Sequence, residues 1–432
     1  MKYKLSYYNI VVMEKEKSKF IWNTKRGSIV ELENEVWDLL EKGELENEAV
    51  KKYESALHKE GIIVNSELDE YEELMFIARQ RQYATGQDSF SLVVAPTLAC
   101  NYNCPYCFEH AVKEKKEMMD LETMNSIYSA IVKKLKSNPQ IKKLRFTWFG
   151  GEPLLAFEKI IMPLQEKIVN FCKECDVTFT NSIITNGYYL TKEKFEFLFK
   201  NNGTKFVQIT FDGTEEEYCV RKGTSKDAYH RVVGNILDLS EYCHTNELGV
   251  KINIRLNVDN DNYKNIKEFV SSLKADARYH DNITFSLARL RSYDFCNDFN
   301  NYCTTEQYEN ILYDFEDFIE KPPYIIEPKQ TFCGQHCMNV FCVGAKGELY
   351  KCEHDFGIKE HSVGHIEGGL TYNKYFNDFM NQPLPEKCVA CKLLPVCMGG
   401  CPHTRLMNNQ QIECEHTLEH LKKTVIKYIN RR

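Results

Sequence analysis

The sequence predicts an α/β fold: a partial (β/α)6 TIM-like barrel with an N-terminal winged-helix-like domain and a C-terminal cysteine-rich domain. Three observations predict it. Between residues 89 and 310, strand-like apolar runs alternate with amphipathic stretches of helical period, the pattern of a parallel sheet with crossover helices. Cysteine is concentrated, with three of the 18 residues in 100–107 and nine in 333–414. Residues 1–88 contain none. The domain boundaries that follow are 1–88, 89–310 and 311–432.

In the first domain, apolar runs at 7–13, 20–22 and 29–32 read as strands, with Lys25-Arg26-Gly27 as a turn signal. Helical spacing follows at Val36, Leu39 and Leu40 and at Val50, Tyr53 and Leu57, and Gly61 precedes an apolar run at 62–64. A few strands followed by short helices is a small winged-helix pattern; a packing extension of the central domain is the alternative. The barrel strands are 92–95, 144–149, 178–185, 206–211, 251–258 and 283–288, with helices at 118–135, 158–172, 192–200, 229–242 and 263–273 between them. In such an architecture the loops at the carboxyl ends of the strands carry the active site. In the third domain a helix at 306–320 stops before Pro322-Pro323, and the remainder is punctuated by Cys, Gly and Pro. A segment with so little apolar periodicity needs bound cofactors to hold its fold.

At 432 residues the chain has room for two or three domains of roughly 150 residues each. Lys plus Arg at 55 against Asp plus Glu at 62 gives a net charge of −7 with no long basic block, which argues against a nucleic-acid partner. No apolar run approaches the roughly 18 residues of a membrane span, and residues 1–12 do not read as a signal peptide. A cytoplasmic location without a membrane partner is expected. In that reducing compartment, so many thiols argue for metal or iron–sulfur ligation rather than disulfides.

The loop after the first barrel strand reads Cys100-Asn101-Tyr102-Asn103-Cys104-Pro105-Tyr106-Cys107-Phe108. Three thiolates hold three corners of a [4Fe–4S] cube and leave the fourth iron open for chemistry; a zinc site completed by a remote ligand such as His110 is the alternative. The second strand ends in Gly150-Gly151-Glu152-Pro153, where glycines let backbone approach a ligand and a carboxylate can accept from an ammonium group, or where a turn precedes a helix. Thr185-Asn186-Gly187 and Thr210-Phe211-Asp212-Gly213 end the next two strands, and Arg255 and Asn257 lie in the fifth; Asn-Gly and Asp-Gly are also ordinary turns. C-terminally, Cys388-x2-Cys391-x5-Cys397-x3-Cys401 and Cys414 follow Cys333, Cys337, Cys342 and Cys352, a spacing unlike the paired C-x2-C knuckles of zinc ribbons. Cys342, between Phe341 and Val343, reads as a strand residue. Cys172, Cys175, Cys219, Cys243, Cys296 and Cys303 read as plain side chains.

The first loop, with Tyr106 at the aromatic position of C-x3-C-x-aromatic-C, resembles that of the radical S-adenosylmethionine (SAM) superfamily. The C-terminal pattern resembles the SPASM extension of its peptide-modifying members, so the likeness covers about residues 90–420. The resemblance implies that Cys100, Cys104 and Cys107 hold a [4Fe–4S] cluster whose open iron chelates SAM, from which one electron releases a 5′-deoxyadenosyl radical. It implies SAM-binding roles for Tyr106, for Gly150, Gly151, Glu152 and Pro153 at the amino group, for Asn186 at the ribose, and for Arg255 and Asn257 at the carboxylate. It further implies two auxiliary [4Fe–4S] clusters, three in all. Cys388, Cys391, Cys397 and Cys414 hold one, and Cys401 joins Cys333, Cys337 and Cys352 in the other. If Cys333 alone is the upstream ligand, that other cluster keeps an open iron. In related sulfatase-maturing enzymes an aspartate after the cysteine equivalent to Cys352 takes a substrate proton, which makes Glu353 the general-base candidate here; Asp212, toward the substrate region, is the second catalytic candidate.

By the same resemblance, residues 1–88 are similar to a peptide-recognition domain that adds a leader peptide to its sheet as an extra strand. The partners implied are a precursor peptide with a leader and an external electron donor of the flavodoxin or ferredoxin type. The activity implied is maturation of a ribosomally synthesised peptide by a Cys thioether crosslink, as in sactipeptide and ranthipeptide maturases. A carbon–carbon crosslink of the streptide-like kind uses the same parts; sulfatase maturation and a non-catalytic iron–sulfur protein are the remaining readings.

Overall fold

The computed structural model describes residues 2–84, 88–109, 116–200, 203–290, 301–322, 324–409, 414 and 416–431. Alternating apolar residues begin the chain as β1 (Tyr3–Leu5), β2 (Asn9–Glu14), β3 (Ser18–Asn23) and β4 (Ile29–Glu33), of which β2, β3 and β4 form an antiparallel sheet. β1 pairs instead with β5 (Ile63–Asn65), after the helices Asn34–Glu41, Glu48–Lys51 and Glu54–Lys59. The period of two sends neighbouring side chains to opposite faces. Ile21 meets Val36, Trp37, Leu40, Leu57 and Ile62, whereas Phe20 and Trp22 meet Ile326, Leu393, Val396, Leu421 and Val425. A further helix, Glu70–Tyr83, starts where Asp69 accepts from the Tyr71 and Glu72 amides, and packs Leu74, Met75 and Ala78 with Tyr8 against Cys388, Leu394 and Met398. The N-terminal residues thus share their cores with C-terminal ones, and Met1–Ala84, Tyr313–Cys337 and Asn381–Arg432 constitute one unit.

The second unit is Thr85–Leu312 with Met338–Met380. Its centre is six parallel strands, β6 (Ser89–Val94), β7 (Lys143–Trp148), β8 (Thr178–Thr185), β9 (Thr204–Phe211), β10 (Lys251–Val258) and β11 (Ile283–Arg289), lying side by side in chain order. An order without reversal is the barrel arrangement rather than the doubly wound one. The helices Leu121–Ser137, Met162–Glu174, Lys192–Lys200, Lys226–Thr245 and Tyr263–Lys274 connect them, close to the expected positions. Past β6 the sheet continues through β12 (Val340–Val343), parallel to β6, then antiparallel β13 (Glu348–Tyr350), β14 (Gly364–His365) and β15 (Gly369–Leu370). Cys342 lies inside β12 and is fully buried among Ala95, Leu98, Tyr350 and Phe356.

Among the helices absent from the sequence-based expectation are Glu70–Tyr83, Lys374–Asn381, Leu418–Asn430 and, within the barrel, Glu215–Lys222. The last bears on the site. It has little apolar period, since Tyr218 is buried but Val220 is largely exposed. Its ends define it instead: acidic Glu215, Glu216 and Glu217 in the first turn, basic Arg221 and Lys222 in the last, and Gly223 in the left-handed region at φ 60°. Among the described residues, no helix is long and apolar enough to cross a membrane.

Trp22→Ala is expected to destabilise the first unit by about 3–5 kcal/mol, the usual cost of emptying a large aromatic site. Hydrogen exchange checks how far the loss reaches: amides of the C-terminal helix Leu418–Asn430 lose protection together with β2 and β3. Unchanged protection in that helix would show that the core is not shared.

Candidate active site at the strand ends

The loop after β6 brings Cys100, Cys104 and Cys107 to one cavity of about 280 Å³. Gly150 and Gly151 after β7, Asn186 after β8, Arg255 and Asn257 of β10 and Arg289 of β11 line it too, and so do Glu353 and His354. Seven of the residues singled out from sequence for SAM or for catalysis therefore converge with the three cysteines: Tyr106, Gly150, Gly151, Asn186, Arg255, Asn257 and Glu353. Glu152, Pro153 and Asp212 do not reach the cavity wall.

The glycines are needed by the protein's own backbone. Gly150 has φ 104°, and a Cβ there would stand 2.5 Å from the Thr97 carbonyl oxygen; one on Gly151 would stand 2.3 Å from that of Ala99. Close approach lets Gly151 N–H donate to Thr97 O (3.1 Å) and Glu152 N–H to Ala99 O (2.8 Å), fixing the chain that enters Cys100. Glu152 is fully buried, and its carboxylate accepts from Leu154 N (3.0 Å), Thr185 Oγ1 (2.8 and 2.9 Å) and Asn186 N (2.8 Å). A carboxylate so engaged ties β7 to β8 instead of facing an ammonium group in the cavity. Burial pushes its pKa up to about 6, opposed by those same donors. Pro153 is buried as the first residue of the turn Pro153–Ala156, where its missing N–H costs nothing.

Asn186 crosses to the cysteine loop: its Nδ2 donates to Asn101 Oδ1 (2.8 Å) and lies 3.8 Å from Cys100 Sγ, to which Tyr102 N–H also points (3.5 Å). Asp212 is fully buried beneath the site. Its Oδ2 accepts from Tyr106 Oη (2.6 Å) and pairs with Lys222 Nζ (3.1 Å), while Asn257 Nδ2 donates to Tyr106 Oη (3.4 Å). Asp212, the second catalytic candidate from sequence, is thus tied to the cavity through Tyr106 and Lys222. Burial and then the Asp212 charge hold the Tyr106 phenol well above its ordinary range. For Lys222, burial pulls down, but Asp212 and the Cys104 thiol outweigh it and the ammonium is held above its usual pKa. Lys222 lines the cavity, and its carbonyl accepts from Asn103 N–H (3.3 Å) in the cysteine loop.

Lys222 escaped sequence reasoning because its helix did; the run Thr214-Glu215-Glu216-Glu217 to Arg221-Lys222-Gly223 carried the start and stop signals that locate it. Also missed was an aromatic wall. Phe108 stacks on Phe149 (centroids 6.1 Å apart, planes at 11°) and touches His354 (4.4 Å), all three on the cavity beside Glu353.

In the first unit, Cys388, Cys391, Cys397 and Cys414 line a second cavity of about 180 Å³ with Leu393, Leu394, Gly399 and Gly400. Burial pushes the Cys397 thiol up, while the Gly399 and Gly400 N–H groups bonded to its sulfur pull the other way. Cys401 is not on that cavity wall. Cys333, Cys337 and Cys401 belong to the first unit and Cys352 to the second. Cys172, Cys243 and Cys303 are buried, their thiols pushed up chiefly by desolvation to about 12, 12 and 11. His110 and Cys296 lie outside the described residues. Three thiols on one cavity and four on another, each set with N–H donors aimed at a sulfur, are ligand sets that fit iron–sulfur clusters, the first leaving an iron open.

Residues 94–273 match the model of the Radical SAM superfamily, and this part of the chain is a radical SAM domain on a mostly parallel α/β sheet. The chain is 25% identical over 380 residues to the cysteine-type anaerobic sulfatase-maturating enzyme of Clostridium novyi, covering 78% of this chain and 96% of that one. It is 24% identical over 304 residues to the radical SAM cyclopropyl synthase TigE of Paramaledivibacter caminithermalis, covering 58% and 63%. In fold it is similar to Streptococcus suis SuiB bound to the precursor peptide SuiA, with TM-score 0.53, 17% identity and coverage of 96% and 98%.

Because the folded pKa of Glu152 lies above 4.5, its proton is bound more tightly in the folded chain; the stability it contributes is full below pH 4.5 and lost as pH rises through about 6. Glu152→Gln should abolish that slope in thermal unfolding and itself cost about 1–3 kcal/mol, since an amide turned toward Asn186 N–H leaves a buried donor unmatched. Lys222→Met should cost about 3–5 kcal/mol by leaving the Asp212 charge buried alone, with Lys222→Arg losing less; denaturant unfolding checks both.

Proposed function

We propose that this protein is a radical SAM maturase that installs a Cys thioether crosslink in a ribosomally synthesised precursor peptide. The observation that carries the reading is that Glu353, beside Cys352, opens onto the same cavity as Cys100, Cys104 and Cys107. In this reading Cys100, Cys104 and Cys107 hold the SAM cluster, with Tyr106, Gly150, Gly151, Asn186, Arg255 and Asn257 around SAM. When bound, that pair supplies hydrogen-atom abstraction from an unactivated carbon. Glu353 takes the proton of the peptide thiol, which must leave as sulfur bonds to carbon. The wall of Phe108, Phe149 and His354 receives the peptide side chain and keeps water from the reacting carbon. Balance requires the carbon to give up a hydrogen atom, the sulfur a proton to Glu353 and the carbon–sulfur pair one electron, which an auxiliary cluster, when bound, would accept.

Cys388, Cys391, Cys397 and Cys414 serve as ligands of one auxiliary cluster. Residues 1–88 bind the leader by adding it to their sheet, which raises the effective concentration of the core peptide at the cavity. A flavodoxin- or ferredoxin-type donor supplies electrons. A carbon–carbon crosslink, which uses the same parts, is the second reading; the likeness in fold to SuiB bound to its precursor peptide SuiA supports a peptide substrate in either.

Anaerobic co-expression with a cysteine-bearing precursor peptide tests the proposal by intact mass and thiol alkylation. Loss of two hydrogens with loss of an alkylatable thiol, under reductant, is the expected result; the same mass loss with every thiol still reactive would establish the carbon–carbon reading instead. Glu353→Gln should keep SAM cleavage to 5′-deoxyadenosine while lowering crosslinked peptide by about 100-fold or more, the range of a general base.

A further inference from the structure

The loop 388–397 carries three of the four thiols on the second cavity, and its own bonds are short-range turns, such as Cys391 N–H to Cys388 O (3.1 Å) and Leu394 N–H to Cys391 O (3.0 Å). Its helical pieces, Glu386–Val389 and Leu394–Cys397, are four residues each, far below the length at which a helix is stable alone. Cys391 falls between them. The two carbonyls flanking Cys391 are held from the start of the chain: Tyr7 Oη donates to Ala390 O (2.7 Å) and Thr24 Oγ1 to Lys392 O (2.5 Å). Lys392 Nζ answers by donating to Asn9 O (2.9 Å). Thr24 is fully buried, and Tyr8, Leu74, Met75 and Ala78 pack against Cys388 and Leu394 beside these bonds. On the other flank, Arg405 Nη1 donates to Gly399 O (2.6 Å), so the loop is clamped from outside at both ends.

We propose that Tyr7 and Thr24 are positioning residues of the second auxiliary cluster, holding Cys391 in its ligating position, so that the N-terminal segment is part of that metal site and not only a module for binding peptide. The proposal rests on the assignment of Cys388, Cys391, Cys397 and Cys414 as cluster ligands. Two consequences follow from the geometry. The hydroxyls act on sulfur only through backbone, so their loss loosens one ligand without removing any. And because binding linkage is reciprocal, whatever moves Tyr7 or Thr24 changes the grip on the cluster.

The test uses the full-length protein, reconstituted anaerobically with iron and sulfide, comparing the parent with the double variant Tyr7→Phe/Thr24→Val. Iron release to a chromophoric chelator should show about four irons leaving roughly tenfold faster, as expected for two lost hydrogen bonds of ordinary strength. The electron paramagnetic resonance spectrum of the reduced second cluster should change, while the SAM-induced spectral change at the first cluster persists. Restoring the hydroxyl, as Tyr7→Phe/Thr24→Ser, should recover most of the parent kinetics. Parent-like release and spectra in the double variant would overturn the proposal, and so would uniform loss of all iron with a lowered unfolding temperature, which marks general destabilisation. If the double variant does not fold, Tyr7→Phe alone, whose hydroxyl sits at a half-exposed edge, decides by the same readouts with a smaller acceleration. Cys391→Ala separates the underlying assignment: iron content equal to the parent would refute the ligand set itself, whatever the hydroxyl variants do.

Discussion

The strand-end site depends on one buried carboxylate. Glu152 accepts from the backbone of Leu154, the hydroxyl of Thr185 and the backbone of Asn186, while its own amide donates to Ala99, one residue before Cys100. Three strand ends are thereby fixed relative to one another through a single residue, two by its carboxylate and the third by its amide. Burial makes this costly, as the raised pKa records, and the cost is tolerable only because each carboxylate oxygen is matched by donors in place. Gly150 and Gly151 serve the same end: with no Cβ between them and Thr97 or Ala99, the β7 loop can press directly on the cysteine loop.

Charge imposes the second constraint. Three cysteines gathered on one cavity become thiolates when they bind metal, and the site must supply positive charge without supplying water. Lys222 meets both needs. It is held by Asp212 on one side and reaches the cavity on the other, while its backbone carbonyl holds Asn103 between two of the cysteines. Tyr106 shares the same aspartate oxygen. Ring, ammonium and cysteine loop are therefore linked through Asp212 and the Lys222 carbonyl, and the helix Glu215–Lys222 that presents Lys222 is itself anchored by Arg221 to Asp259 (2.5 Å).

The strands and the cysteines were legible in the sequence because both signals are local. Apolar runs at strand length give β7 to β11 to within two residues at each end, while β6 begins at Ser89, ahead of the expected run 92–95; the spacing of Cys100, Cys104 and Cys107 needs no partner elsewhere to be read. What was illegible depends on depth. Glu152 and Asp212 look, as residue types, like groups that meet a ligand; only the fold shows that each is fully buried, Glu152 bonded to the end of β8 and Asp212 to Tyr106 and Lys222. β12 is four residues long and pairs with β6 from about 250 positions away in sequence, a register that no local pattern encodes. Phe108, Phe149 and His354 belong to three separate loops, so their contact is a product of packing.

The same reasoning separates the two thiol sets. Around Cys100 the supporting groups are charged or strongly polar and buried, an arrangement that resists small displacements because each lost contact strands a polar atom. Around Cys388, Cys391 and Cys397 the support is two hydroxyl-to-carbonyl bonds, one arginine and an apolar core assembled from both ends of the chain. Such a core forms only when residues far apart in sequence meet, and the closure of so long a loop is unfavourable until its contacts are in place. In the reading proposed above, metal binding at the four thiols would favour that closed state. In that reading, folding of the first unit and occupancy of its cysteine cavity are coupled, because the N-terminal residues Tyr8, Phe20 and Trp22 share cores with Leu393, Leu394 and Val396 of the ligand loop.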